Sequence, residues 1–530
     1  MLDRRDLLKA ATGTTLALVA PRAGRTASAS TDLLRVVPFS EPTIFDPVVT
    51  GFYSTTNAAL MIYDTLFSWD ANMAAQPQMV QAWERSEDGL SYRFQLRSGL
   101  RFHDGSDVTT RDVIASLRRM LAGDTTNQLF ASYIAGMDRI DDRTFTLRLH
   151  EPFAFVEFLL GGGNNISGAI MREKEAETDP HAPVRTLIGS GPFRFLPGEY
   201  ESGARIVWER FDGYIPRPEP PSGFAGGKVV KVKRVEWVIM PDPEVGYEAL
   251  RTNEVDVLDS PSIDLIPTIA NDPDIVIREL WPIDGQTVLR FNWLWPPFNN
   301  LKARQAVAHA LSQRDEMEAA IGDPHYWRTC QAFWVCGSPN GTEVGSEPYK
   351  SPDLDLARRL LAESGYAGEK VVMIGSTNVP MFRQMSLVTA QTLGKIGMNV
   401  DLQLSDVATF VARRIKKDPP SAGGWNMFHT MATGAASESP LISPSTVMTC
   451  DGKNFPGWPC DAEEDSLRRA YVRETDPARR QGLLAQMHKR LWSVVAYVPL
   501  GQVRQPYVWR RSIRGVLDAN NLVFWNIEKT

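Results

Sequence analysis

Five places along the chain carry residue types at spacings that chemistry could use. His150-Glu151 begins like the two-histidine zinc helix HExxH, but Ala154 stands where the second histidine belongs, so the metal set of a peptidase is incomplete. Gly189-Ser190-Gly191 sets a serine between glycines. A nucleophile elbow needs glycines two residues either side of the serine, and Ile188 and Pro192 occupy those places. Gly227-Lys228 ends like a phosphate loop, yet Ser222 replaces its first glycine and Val229 its closing Ser/Thr. His103-Asp104 offers two members of a triad, but neighbours on an extended chain point apart, so a structural turn is expected. The four cysteines form two close pairs, Cys330 with Cys336 and Cys450 with Cys460. Zinc pairs usually leave two to four residues between ligands, fewer than either pair has. Two local disulfides are expected, each worth roughly 2–3 kcal/mol by loop closure, with free buried thiols as the alternative. No catalytic set is complete, so neither an enzyme nor a metal or other cofactor is expected. A hydrolase is the remaining reading of a different class.

The surrounding composition is that of a large acidic protein with real cores. The chain has 530 residues, 43% hydrophobic and 23% charged, and a formal net charge of −6. That balance excludes nucleic acid as a partner, which needs a basic face. Tyr92–Leu96 and Arg143–Leu149 alternate apolar and polar residues, the period of half-buried strands. Helices are expected near Thr55–Leu66, from Asp107 to about Leu121, over Glu244–Arg251 and over 381–396. Ala303, Ala306, Val307, Ala310 and Leu311 make one buried helix face. Ser351 and Pro352 read as the cap and first residue of a helix stopped by Gly365. Strands are expected at Val229–Val232, Val235–Ile239, Val255–Leu258, Val371–Ile374 and Val400–Leu404. Strand and helix alternate, which implies α/β layers.

The N-terminus reads as an address rather than a fold. Arg4-Arg5-Asp6-Leu7-Leu8-Lys9 is a twin-arginine run, Ala10–Ala20 is apolar, and Ala27-Ser28-Ala29 is an A-x-A cleavage site. The apolar stretch falls short of the ~20 residues of a membrane-spanning helix. Cleavage after Ala29 removes five bases and two acids, so the charge of −6 becomes −9. No cysteine precedes Cys330 to take a lipid. Export to a periplasm without an anchor is expected.

Several ordered segments carry a family resemblance. They are Ile62-Tyr63-Asp64-Thr65-Leu66-Phe67, Ala82–Leu90, Leu96–Gly105, Val108-Thr109 with Asp112-Val113, and Gly189-Ser190-Gly191-Pro192-Phe193. Ala249-Leu250 with Glu254-Val255-Asp256, Arg290-Phe291-Asn292, Pro297-Phe298 with Arg304–Val307, and Leu360–Tyr366 follow. In that order they resemble the extracytoplasmic solute-binding proteins of ABC importers, family 5, the dipeptide, oligopeptide and nickel group. The resemblance implies a two-lobed α/β fold of the periplasmic-binding-protein kind, with mixed sheets, a hinge of crossing strands and an inserted subdomain. The expected division is an export signal over 1–29, lobe I over 30–58, 188–288 and 500–530, the inserted subdomain over 59–187, and lobe II over 289–499. Val288–Trp293 reads as one crossing strand and the stretch near Pro499–Gln505 as the return. The implied function is capture of a peptide or peptide-like solute by lobe closure and delivery to permease and ATPase subunits. The chain is expected to act as a monomer. An oligosaccharide, a nickel chelate or haem is the alternative cargo.

The dipeptide-binding relatives place an aspartate for the ligand ammonium after a strand matching Trp425–Phe428. Here that loop reads Thr433-Gly434-Ala435-Ala436-Ser437, with no acid before Glu438. Their arginine for the ligand carboxylate follows a strand matching Val371–Ile374. Here the loop is Gly375–Asn378 and the next base is Arg383. A ligand less zwitterionic than a dipeptide, or differently anchored, is implied, because an unpaired buried charge is costly. Most of the 14 Trp are expected in cores. Trp293, beside Asn292 at the expected hinge, and Trp425 are placed at the cleft as stacking walls, with Tyr53, Thr430 and Thr433 from loop position. His429 is the one histidine near the expected cleft for a nickel or haem ligand.

Overall fold

The computed structural model describes residues 31–162, 166–281, 283–377 and 379–530. The twin-arginine run and the cleavage site lie outside the described residues.

Two large sheets organise the chain. The first is built from β1 (Leu33–Val37), β8 (Phe193–Phe195), β9 (Arg205–Arg210), β10 (Arg234–Val238), β11 (Val257–Leu258), β12 (Ile275–Glu279) and β19 (Pro506–Arg510). The remaining strands are β2 (Phe67–Trp69), β3 (Ala75–Pro77), β4 (Val80–Arg85), β5 (Ser91–Leu96), β6 (Ile134–Arg139), β7 (Thr144–Leu149), β13 (Gly285–Phe291), β14 (Trp327–Arg328), β15 (Val371–Ser376), β16 (Val400–Ser405), β17 (Met427–Ala432), β18 (Val498–Val503), β20 (Ile513–Arg514) and β21 (Glu528–Lys529). The first sheet has the order β12-β19-β11-β1-β10-β9-β8. β1 runs parallel to β10 and β11, while β19 is antiparallel to β11 and β12. The second sheet has the order β14-β18-β13-β17-β15-β16, with β15 parallel to β16 and β17, and β13 antiparallel to β17 and β18. Strands β4-β5-β7-β6 form a separate antiparallel sheet.

The first sheet is covered by the helix Tyr53–Ile62, buried from Ser54 to Ile62, with the polar side chains of Ser54, Thr55 and Asn57 each hydrogen-bonded. It packs with Leu34, Val36, Trp208, Trp237, Phe524 and Trp525 in one core. The Gly189-Ser190-Gly191 segment crosses the end of that helix. A Cβ at Gly189 would stand 2.0 Å from the Ile62 carbonyl oxygen, and one at Gly191 2.6 Å from that of Met61. Close approach of backbones, rather than catalysis, explains these glycines. His103 clamps the same segment: its Nδ1 accepts from the Gly189 N–H, and its Nε2 lies 3.1 Å from the Gly191 carbonyl oxygen. Burial lowers its pKa to about 4. Asp104 accepts from Ser106 and pairs with Arg172. Lys228 is buried against Asp64 at 2.9 Å and over the Trp525 ring, so it is a core cation rather than a phosphate ligand.

The expected helices form with small shifts: Tyr53–Ile62, Thr110–Leu121, Pro243–Arg251, Leu301–Ala310 and Pro380–Lys395. Thr109 and Asp112 make a capping box on the second of these. Asp353, not Ser351, caps the helix Leu354–Glu363, accepting from the Leu356 N–H. Val229–Val232 is not a strand. Both expected disulfides are present, Cys330–Cys336 and Cys450–Cys460.

The chain passes between the large sheets twice. It leaves β12 at Glu279 and enters β13 at Gly285, then returns through Arg504 and Gln505 from β18 to β19. The return occupies only the end of the expected stretch, because Pro499–Val503 lies in β18 of the second sheet. The outgoing passage lies before its expected stretch: Val288–Phe291 belongs wholly to the second sheet, and the crossing precedes Gly285. The apolar residues resume only at Val288, three residues into the strand, so hydropathy alone places the start of β13 too late.

Candidate functional site

The strand register fixes which end of each sheet meets the passages. Glu279, the last residue of β12, pairs with Pro506, the first of β19, and Leu258 at the end of β11 pairs with Val508. β1 is parallel to β11, so its carboxyl end lies on the same side. In the second sheet Gln286 pairs with Ala432 at the end of β17, and β15 and β16 run parallel with it. The carboxyl ends of the parallel strands of both sheets therefore converge on the two passages. Open α/β sheets bind ligands at such ends.

On the first sheet this side carries Phe39 and Ser40 after β1 and Asp259 and Ser260 after β11. Asp259 is buried and accepts from the Tyr53 hydroxyl and the Asn57 amide, each at 2.9 Å, from the Ser260 hydroxyl and from the Phe39 N–H. Burial outweighs these donors and raises its pKa to about 6. The Tyr53 hydroxyl lies 2.7 Å from that of Tyr507, which accepts from Trp281 Nε1 at 2.6 Å. With the Tyr53 proton committed to Asp259, the Tyr507 hydroxyl donates to Tyr53. Trp281 lies on the outgoing passage and Tyr507 just past the return, so one relay ties the cleft loops to both. Burial and then Asp259 keep the Tyr53 phenol protonated.

On the second sheet this side carries Thr430 and Met431 in β17 and the turn that follows. Thr433 caps the short helix Gly434–Ser437, accepting from the Ala436 N–H. A Cβ on Gly434 would stand 2.1 Å from the Ile283 carbonyl oxygen, so this turn presses on the outgoing passage. Asp284 bridges the passages, 2.8 Å from Arg328 and 3.6 Å from Arg504. The Cys330–Cys336 loop is held beside them. The Cys336 N–H donates to Gln502, and Gln286 donates to the Ala332 carbonyl.

Of the six residues expected at the ligand, Tyr53, Thr430 and Thr433 reach this region and Asn292, Trp293 and Trp425 do not. β13 starts at the passage and runs away from it, which puts Asn292 about 20 Å along the strand. Asn292 is fully buried, donating to the Trp425 carbonyl and accepting from the Leu294 N–H. Trp293 is covered by the Arg304 guanidinium, 3.5 Å from its ring. Trp425 is buried with Phe428 and Trp458 and donates to the Arg414 carbonyl. His429 is buried between Ser386 and Thr389, 3.1 Å from each, and burial lowers its pKa to about 3. Both ring nitrogens are engaged, so it is not poised to take a metal. Glu438 is nine-tenths buried, accepts from Asn340, and has its pKa raised by burial to about 7. Arg383 is exposed in the first turn of Pro380–Lys395. Asp259 and its relay were not foreseen. The signal in the sequence was only an aspartate ending an apolar strand.

The model of the bacterial extracellular solute-binding proteins, family 5 (Middle), matches residues 74–448. The chain belongs to this family. It is a solute-binding protein and not an enzyme. It is 36% identical over 533 residues to a probable peptide ABC transporter periplasmic-binding protein, y4tO, of Sinorhizobium fredii, covering 100% of this chain and 99% of the relative. Among solved structures it is similar to the binding protein AgaA of A. tumefaciens R10 in complex with agropinic acid, with TM-score 0.78, 22% identity and coverage of 94% and 99%. DppA from Helicobacter pylori in complex with the peptide STSA also has TM-score 0.78, at 19% identity and coverage of 94% and 98%. The fold is the two-lobed one of periplasmic binding proteins, as the resemblance implied. Among the described residues no helix is long and apolar enough to cross a membrane.

Proposed function

We propose that this chain is the periplasmic solute-binding component of an ABC importer and that its solute is a peptide or peptide-like molecule. The observation that carries this reading is the convergence of both sheets' parallel-strand ends on the two passages, in a chain related over its full length to a probable peptide-binding protein. A ligand touching both lobes favours the closed state by the difference in its affinity for the two states, and permease and ATPase subunits then receive it. Tyr53, Thr430 and Thr433 are placed at this ligand. The lobes divide at the passages, with 285–503 as lobe II and the inserted subdomain over 59–187. The N-terminal segment directs export and is cleaved after Ala29, and the protein works as a monomer.

Glu438 is paired with Asn340 and half neutral near pH 7, so it is not a ready carboxylate for a peptide ammonium. That favours a longer, modified or cyclic peptide over a free dipeptide. Native mass spectrometry of freshly purified protein tests the reading, with thermal shift against a peptide library alongside. A co-purifying peptide mass and peptide-dependent stabilisation are expected. A bound sugar or metal chelate with no response to peptides would overturn it.

A further inference from the structure

Most large apolar side chains near the passages are buried, yet Phe39 is 48% exposed and Phe52 is 44% exposed. They are neighbours, with ring centroids 6.4 Å apart, and the Phe39 ring meets Tyr53 edge-on at 5.7 Å. Phe39 follows β1 and Phe52 precedes the helix Tyr53–Ile62, at the carboxyl end of the first sheet beside the return passage. The group is held from behind. Asp259 takes the Phe39 N–H and the Tyr53 hydroxyl on one carboxyl, and Ser40 is bonded to Ser54 at 2.8 Å. Two loops distant in sequence are thus fixed relative to each other, while their apolar rings stay in contact with solvent. Exposing two ordered rings costs hydrophobic free energy, and edge-on aromatic pairs leave ring faces free for a third group.

We propose that Phe39, Phe52 and Tyr53 form a subsite for an apolar or aromatic side chain of the peptide-like solute, with Asp259 as the positioning residue that holds it together. The subsite rests on the peptide reading above. It adds a preference that the charged anchors of a dipeptide site would not give. It also places the side chain against the relay Asp259–Tyr53–Tyr507–Trp281, which reaches both passages.

The test uses the full mature chain and tripeptide probes, trialanine and its three single-phenylalanine versions, with dissociation constants from calorimetry. The wild-type protein is expected to bind at least one phenylalanine version about tenfold more tightly than trialanine. Phe39→Ala and Phe52→Ala are expected to remove most of that preference while leaving trialanine affinity within about twofold. Both rings are exposed, and unchanged melting without peptide confirms folding of the variants. Asp259→Asn keeps the size of the side chain and is expected to weaken the preference partly. Peptide binding with no preference, or a preference unmoved by both phenylalanine substitutions, would overturn the subsite alone. Failure of the wild type to bind any of the probes would overturn the subsite, while the mass of the co-purifying solute decides the peptide reading separately.

Discussion

Glu316 is buried under the second sheet, where its carboxyl accepts from the Thr389 hydroxyl and burial pushes its pKa up to about 8. The folded value lies above the unfolded value of about 4.5, so the protonated form is the stabilising one. Its contribution is whole below about pH 4.5 and is lost as pH rises through about 8. Glu464, with a pKa near 8, Glu438 near 7 and Asp259 near 6 act in the same direction. The buried His103, His429 and His488, whose pKa values burial lowers, act in the opposite direction below about pH 6.5, so the melting temperature is expected to fall between about pH 6.5 and pH 8, and Glu316→Gln to flatten part of that slope. Thermal unfolding over this pH series checks it, and an unchanged slope in the variant would remove Glu316 from the account. His103-Asp104, Gly189-Ser190-Gly191 and Gly227-Lys228 all turn out to hold backbone or buried charge in place.

At the scale of elements, the passages and their braces decide how the lobes move. Asp284, on the outgoing side, faces Arg328 and Arg504 and so links the two passages. Asp284→Ala removes this brace, and solute affinity is expected to drop several-fold because closure loses a fixed hinge geometry. Calorimetry with the bound solute checks this, and unchanged affinity would make the ion pair incidental. The second disulfide braces another part of the second lobe. Cys450–Cys460 closes a loop whose Gly457 lies against the end of β13: a Cβ there would be 2.5 Å from the Phe291 carbonyl oxygen. Reduction of such a loop is expected to cost roughly 2–3 kcal/mol, read as a lower melting temperature in dithiothreitol. Helices and strands of this lobe were legible from their periodicity. The start of β13 was not, because its first three residues, Gly285-Gln286-Thr287, carry no apolar period and are fixed by pairing with β17 and β18.

Across the whole molecule, the subdomain carrying the β4-β5-β7-β6 sheet also touches the helix Ala462–Arg473 of the second lobe. The Ala154 N–H donates to the Val472 carbonyl, Phe155 stacks on Tyr471 at 5.5 Å, and Arg473 pairs with Glu151. The ion pair is half-exposed and contributes little, so the aromatic stack is the firmer contact. Phe155→Ala is expected to shift the solute-free protein toward the open state. Small-angle scattering would then show a larger radius of gyration without solute and the wild-type value with it. An unchanged solute-free radius would mean the stack does not hold the lobes.

The sequence by itself determined the layer class, the disulfide pairs, the absence of a complete catalytic set and the resemblance to a family. Each of these rests on local spacing or on ordered short motifs, which a linear chain displays directly. Tyr53, Thr430 and Thr433 lie beside the passages, whereas Asn292, Trp293 and Trp425 lie toward the other end of the second sheet. Only strand register decides which end of β13 meets the hinge, and register is a pairing between residues far apart in the chain. The Asp259 relay and the exposed Phe39–Phe52 pair depend on the same long-range placement. They join residues separated by up to 454 positions, a proximity that only the tertiary structure supplies.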